Sequence, residues 1–117
     1  MQRDRLLLAE IIEAAERIVE LTVARTALDF DKDRDRRDAL LWNFTVLGEA
    51  ATQLSEATKA AHSHVGWSDP IRLRNRIVHG YWSVDLDVLV AAAHDDLPTF
   101  IGHVRAIEET APGGGWQ

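Results

Sequence analysis

The sequence predicts an all-α fold, an antiparallel bundle of four to five helices, from three observations. Apolar residues recur at intervals of three and four over long stretches; helix start and stop signals bound those stretches; and no alternating run of β-branched residues lies between hairpin turns. The first predicted helix runs from Arg3 to about Leu28 with Leu8, Ile12, Ala15, Val19, Thr22 and Thr26 on one stripe and Glu10, Glu13, Glu16, Arg17 and Glu20 between them. Residues 29–38 lose that pattern and are rich in Asp, a poor helix former and a good cap, so they read as a connection and a helix start. A second long helix, from about Arg36 to Ala61, carries Leu40, Phe44, Leu47, Ala51 and Leu54.

The stretch His62 to Asp69 breaks the periodicity, and Ser68-Asp69-Pro70 pairs a capping side chain with a proline suited to a first helical turn. A short third helix is expected from Pro70 to Val78 or His79, ended by Gly80. Ser83 is expected to cap a fourth helix with Asp85 and Asp87 in its first turn and a stripe from Leu86 to Ile107; Pro98 falls inside it and predicts a kink or a restart. One domain is expected over residues 1–109, with a disordered tail over 110–117. The two long helices, each about 40 Å at 1.5 Å per residue, outreach the third, so a second copy of the chain is expected to cover them as a homodimer.

Composition narrows the function. With 46% hydrophobic and 27% charged residues, the 117-residue chain is expected to fold rather than stay disordered. A net charge of −6 argues against a sequence-independent nucleic-acid coat, so any such contact must be focused. The absence of cysteine removes disulfides, zinc–thiolate sites and thiol nucleophiles, and the N-terminus predicts neither a signal peptide nor a membrane span. A cytoplasmic protein without membrane partners is the expectation.

Residues 71–81 break from this acidic background: Arg72, Arg74 and Arg76 give them +3 and no acid, leaving −9 for the remainder, since −6 minus +3 is −9. Within them, Arg74-Asn75-Arg76-Ile77-Val78-His79-Gly80-Tyr81 unites guanidinium, carboxamide, imidazole and phenol. A guanidinium fork holds phosphate oxygens, and imidazole is suited to moving a proton near neutral pH. Metal-free RNA cleavage needs a base for the 2′-hydroxyl, a cation for the phosphorane and an acid for the leaving oxygen. Arg74 and His79 supply two of these, and they lie about 140° apart on an ideal helix, so a break at Gly80 or a second subunit is required. Asn75, one turn before His79, can orient the ring. In a dimer six arginines, three per chain, would focus the field on RNA. On residue types alone the segment reads either as such a site or as a solvated helix end whose cations suit the dipole.

Other candidates carry alternatives. Glu49 either pairs with a motif arginine or stays exposed. Trp42, Trp67 and Trp82 either stack on bases or pack in core and interface, with Trp82 best placed beside the motif. His62, His64 and the His94-Asp95 pair lack the further ligands a metal site needs, so neither metal nor cofactor is expected.

Arg, four residues, His, any residue and Tyr, with Asn directly after the Arg, resembles the signature of the HepT-like toxins, a branch of the HEPN superfamily. Leu47-Gly48-Glu49-Ala50-Ala51, Trp67 to Pro70, Val84-Asp85 and Asp96-Leu97-Pro98 are similar to further segments of that family, so the resemblance covers nearly the whole chain apart from the tail. It implies an all-helical homodimer with the motif in an interfacial cleft, and a toxin that is a metal-independent endoribonuclease. Arg74 and His79 would be catalytic, with Asn75, Arg72, Arg76, Glu49 and Trp82 supporting or binding RNA. The implied partner is an MntA-like nucleotidyltransferase antitoxin that neutralises the toxin by transferring AMP to Tyr81, the only tyrosine in the chain. The phenol can equally pack at a helix terminus. Two alternatives stand beside this reading: a catalytically weak RNA- or nucleotide-binding module that acts by complex formation with the transferase, and an antitoxin that restrains it.

Overall fold

The computed structural model describes residues 2–110, and among them every regular element is helical. The α-helices are α1 (Gln2–Thr22), α2 (Ala27–Lys32), α3 (Arg34–Gln53), α4 (Glu56–Ala61), α5 (Ser68–His79), α6 (Leu86–Asp95) and α7 (Leu97–Thr110), with 3₁₀ turns at Ser63–Val65 and Tyr81–Ser83. Of the expected tail, Thr110 closes α7 and residues 111–117 lie outside the described residues. No helix among the described residues is long and apolar enough to cross a membrane.

There are seven α-helices among the described residues rather than four or five, because local caps divide the long helices expected from periodicity. The first helix ends at Thr22, whose hydroxyl turns back onto the Ile18 carbonyl at 2.9 Å, and Ala24 takes a left-handed conformation (φ 58°). The expected connection then folds into α2: Asp29 accepts the Thr26 N–H at 2.8 Å, and Phe30 is fully buried. Asp33 begins α3 by accepting from the Arg36 N–H at 3.1 Å.

The second long helix breaks at Leu54, which leaves helical geometry at ψ 145°, and Ser55 caps α4 by accepting from the Thr58 N–H at 3.2 Å. Asp4, buried on α1, secures that break: its carboxylate accepts from the Ser55 N–H (3.1 Å), the Ser55 hydroxyl (2.6 Å) and the Thr58 hydroxyl (2.6 Å). Ser68 does not cap α5; it is the first residue of the helix, entered from Gly66 in the left-handed region (φ 78°), with Pro70 in the first turn as expected. Asp85, not Ser83, caps α6 by accepting from the Asp87 N–H at 2.9 Å. Near Pro98 the helix restarts at Leu97, so the proline stands in a first turn where no amide donor is missed.

One apolar cluster unites these elements, with Ile11, Ile18, Leu40, Phe44, Leu47, Leu89 and Val104 at its centre. Burial of each such side chain contributes about 1.5–3 kcal/mol. Helix α1 packs on α3, α6 and α7, and α3 packs on α5. Arg3 at the start of α1 donates to Gln53 at the end of α3 at 2.7 Å, so α3 runs antiparallel to α1, and Arg105 on α7 pairs with Glu16 on α1.

The α3–α5 seam closes at Gly48. A Cβ placed there would lie 2.2 Å from Cβ of Arg74 and 2.6 Å from the Pro70 carbonyl oxygen, neither of which can swing aside. Gly48→Ala is therefore expected to force the helices apart, costing about 1–3 kcal/mol in denaturant unfolding. A melting temperature equal to that of the parent would refute this account of the seam.

Asp4 gives a second test. Burial acts to raise its pKa, but the hydrogen bonds from Ser55 and Thr58 outweigh it and hold the carboxyl below its ordinary 3.8. That stabilisation is present above pH 3.8 and is lost as pH falls through the lowered folded-state pKa. Asp4→Ala is expected to cost about 1–3 kcal/mol at neutral pH, with the gap to the parent closing in acid; urea midpoints across pH measure both.

Candidate functional site

Helix α5 continues without a break through His79, and the Gly80 N–H closes its last turn on the Arg76 carbonyl at 3.0 Å. Gly80 therefore ends the helix without turning His79 back toward Arg74. The two keep their offset of about 140° around the axis, with Asn75 between them.

Arg74 lies on the flank of α5 that meets α3. Its Nη2 pairs with Glu49 Oε1 at 2.8 Å and its Nη1 donates to Asn75 Oδ1 at 2.8 Å, while its Nε–H is buried with no hydrogen-bond partner among the described residues. Gln53 holds the second Glu49 oxygen at 3.0 Å and itself accepts from Arg3. A chain of polar contacts thus runs Arg3, Gln53, Glu49, Arg74, Asn75 across α1, α3 and α5. Asn75 directs its oxygen to Arg74 rather than to the His79 ring, which makes no hydrogen bond among the described residues and stands exposed.

The three arginines do not share one surface. Arg72 and Arg76, one turn apart, line a groove of about 500 Å³ whose other wall carries Asp95 and Asp96, and Arg72 also pairs with Asp69 at 2.6 Å. Arg74 is about 160° away from both. The local charge of +3 is thus partly offset by Asp69 and Glu49, and a cleft uniting all six arginines of a dimer on one face is not what α5 presents.

Tyr81 follows in the 3₁₀ turn and lies back against the start of α3, where its hydroxyl donates to Asp38 Oδ1 at 2.5 Å. Asp38 and Glu49 are eleven residues apart, within about 20° on the helical wheel, so one stripe of α3 engages both the arginine and the tyrosine of the motif. The exposed Trp42 lies on the same stripe. A pocket of about 310 Å³ opens beside the tyrosine, lined by Asp31, Arg34, Arg37, Asp38, Trp82 and Val84 among others. Trp82 meets Tyr81 edge-on and is 93% exposed. The sequence reading missed Asp38, Arg34 and Arg37, hidden in a run of alternating charge; the signal available was the spacing of Asp38, Trp42 and Glu49 along one helical face.

The remaining candidates have structural partners. Trp67 is buried, donates to the His62 carbonyl at 3.1 Å and packs edge-on against Phe100. The His94 Nε2 meets the Thr22 carbonyl oxygen at 2.7 Å, joining α6 to the end of α1. His64 packs edge-on against His62 and His103, and among the described residues no group of three or more His, Cys, Asp or Glu side chains is arranged to hold a metal ion.

Comparison with known proteins finds a family described as Ribonuclease HepT-like, whose profile matches residues 11–107. A protein named a probable ribonuclease HepT from Thermococcus cleftensis is 30% identical over 102 residues, covering 87% of this chain and 93% of its own. Two proteins provisionally named as RNases are also similar. One, from Methanocaldococcus jannaschii, is 26% identical over 103 residues (88% of this chain, 85% of its own). The other, from Caldanaerobacter subterraneus subsp. tengcongensis, is 24% identical over 107 residues (92% and 96%). No solved structure matches at a comparable level of significance.

The Asp38 contact has a measurable consequence. The hydrogen bond to Asp38 raises the Tyr81 pKa above 10.0, with burial and the Asp38 charge acting in the same direction and Arg37 and Arg34 opposing. Because Tyr81 is the only tyrosine, phenolate absorbance in an alkaline titration reports this group alone. The midpoint is expected above 10.0 in the parent and lower in Asp38→Asn. Coincident midpoints would show that the contact does not persist in solution.

Proposed function

The chain belongs to the ribonuclease HepT-like family of the HEPN superfamily, and from that premise we propose that it is a metal-independent endoribonuclease acting as a homodimeric toxin. The observation that carries the reading is Arg74, fixed by Glu49 and Asn75 at one edge of α5, with His79 exposed about 140° around the same helix.

The offset between Arg74 and His79 calls for a second copy of α5. Trp42 and Val78 are 66% and 52% exposed on the faces of α3 and α5 that flank Arg74. Their apolar surface supports docking of a second chain, which would bring two His79 and two Arg74 side chains to one phosphodiester. One imidazole takes the proton from the 2′-hydroxyl, whose oxygen attacks the phosphorus in line. The guanidinium groups stabilise the phosphorane, and the other imidazole protonates the departing 5′-oxygen, leaving a cyclic phosphate. Glu49 limits the rotamers of Arg74, and Arg72 and Arg76 approach the RNA strand from the outer face of α5.

Tyr81, two residues beyond His79, is the proposed control point, modified with AMP by an MntA-like nucleotidyltransferase antitoxin acting in the cytoplasm. The added phosphodiester brings a negative charge and a nucleoside next to the basic helix, which opposes RNA both electrostatically and sterically.

His79→Ala is expected to lower RNA cleavage by at least about 100-fold with mass and melting temperature unchanged, the scale of a lost general acid–base group. Trp42→Glu is expected to give monomers by light scattering and to lose cleavage with them. His79→Ala protein that degrades RNA as fast as the parent would sink the assignment.

A further inference from the structure

We propose that Asp38 is the base that takes the phenolic proton of Tyr81 during nucleotidylation, and that Arg34 and Arg37 beside it bind the phosphates of the incoming nucleoside triphosphate. The inference rests on the reading that Tyr81 is the modified residue, and assigns to this chain, rather than to the transferase alone, part of the machinery that modifies it.

The geometry is specific. The Asp38 carboxylate is 2.5 Å from the Tyr81 oxygen, within reach for proton transfer, and no other acceptor meets that hydroxyl among the described residues. The charged groups facing the phenol come from two elements: Arg34, Arg37 and Asp38 on α3 and Asp31 on α2. Arg34 meets the far oxygen of Asp38 at 3.8 Å, whereas Arg37 makes no ion pair among the described residues. A cation without a carboxylate partner, lining a pocket that ends at a nucleophilic oxygen, suits an anionic ligand.

A phenol of raised pKa is a poor nucleophile at neutral pH, and ionising it before attack would place a phenolate against the Asp38 carboxylate. Transfer concerted with attack avoids that state. The Tyr81 oxygen forms a bond to the α-phosphorus as the bond from that phosphorus to the bridging oxygen breaks. Pyrophosphate leaves with the electron pair, and the phenolic proton passes to Asp38 and from there to water. The product is a phosphodiester whose negative charge lies beside Arg34 and Arg37.

The competing account makes Asp38 only an anchor for the 3₁₀ turn. Asp38→Asn separates the two, because an amide oxygen can still accept the phenolic hydrogen bond but cannot take its proton at neutral pH. Full-length wild-type, Asp38→Asn, Arg37→Gln and Tyr81→Phe proteins are incubated with ATP and the cognate nucleotidyltransferase, and AMP addition is followed by intact mass across pH. Asp38→Asn is expected to react at least about 100-fold more slowly at neutral pH and to recover as pH approaches the phenol's own ionisation. Arg37→Gln is expected to raise several-fold the ATP concentration giving half-maximal rate, and Tyr81→Phe to gain no mass. Asp38→Asn reacting at the wild-type rate, with the wild type modified, overturns the assignment of the base and leaves the Tyr81 reading intact. A wild-type chain that gains no AMP overturns both.

Discussion

The close approach of α5 to α3 at Gly48 is the constraint on which the site depends. Any side chain there would occupy the space of Cβ of Arg74 and the Pro70 carbonyl, so the absence of one sets the separation of the helices. Once that separation is set, the next residue, Glu49, reaches the Arg74 guanidinium at 2.8 Å. The ion pair itself adds little stability: both side chains are partly exposed, and such pairs contribute at most about 1 kcal/mol. Packing against α3 holds α5, including the buried Ile77, and the Glu49 contact selects one arrangement of the Arg74 side chain. The positions of Arg74 and Tyr81 thus follow from the spacing of Glu49 and Asp38 on one stripe of α3, a span of about 16 Å at 1.5 Å per residue.

How far the sequence discloses this differs by level. The stripes of α1, α3, α6 and α7 are legible because periodicity records burial: Leu8, Leu40, Phe44, Leu47, Leu89 and Val104 are core residues as their spacing implies. Helix ends are less legible, because side chains distant in sequence decide them. Nothing around Leu54 states that Asp4, fifty residues earlier, will accept both Ser55 groups and divide the helix there. The Asp-rich connection conceals α2 for the opposite reason, since one buried Phe30 organises it among charges that all look solvated. In the site, residue type identifies the motif, and a glutamate after a glycine on the packing helix raises the possibility of the Arg74 pair. The Asp38–Tyr81 contact is not legible, because its partners are 43 positions apart and Asp38 lies in a run of alternating charge.

The structure also revises the electrostatic picture that residues 71–81 suggest. Counted along the chain, three arginines make residues 71–81 strongly basic; placed in space, Arg72 faces Asp69, Arg74 faces Glu49, and Arg76 shares its groove with Asp95 and Asp96. Such matching weakens long-range attraction for a polyanion. It also means that a guanidinium which engages phosphate does so from a fixed position rather than by a search of rotamers. For a chain of net charge −6, a preorganised contact is a more economical route to selectivity than a broad basic surface, which would bind any nucleic acid.

His79 and Tyr81 stand two residues apart but belong to different structural units, the last turn of α5 and the 3₁₀ turn that follows. Gly80 separates them, and its position leaves His79 exposed at the helix end while Tyr81 returns to α3. The phenol opens onto a pocket lined by Asp38, Arg34 and Arg37 on α3, away from the last turn of α5 that carries His79. The regulation proposed for Tyr81 would need no conformational transmission. Under the proposed modification, a charged nucleotide on Tyr81 would act on a strand at His79 by occupying neighbouring space and by adding like charge at short range, where screening by salt is weakest.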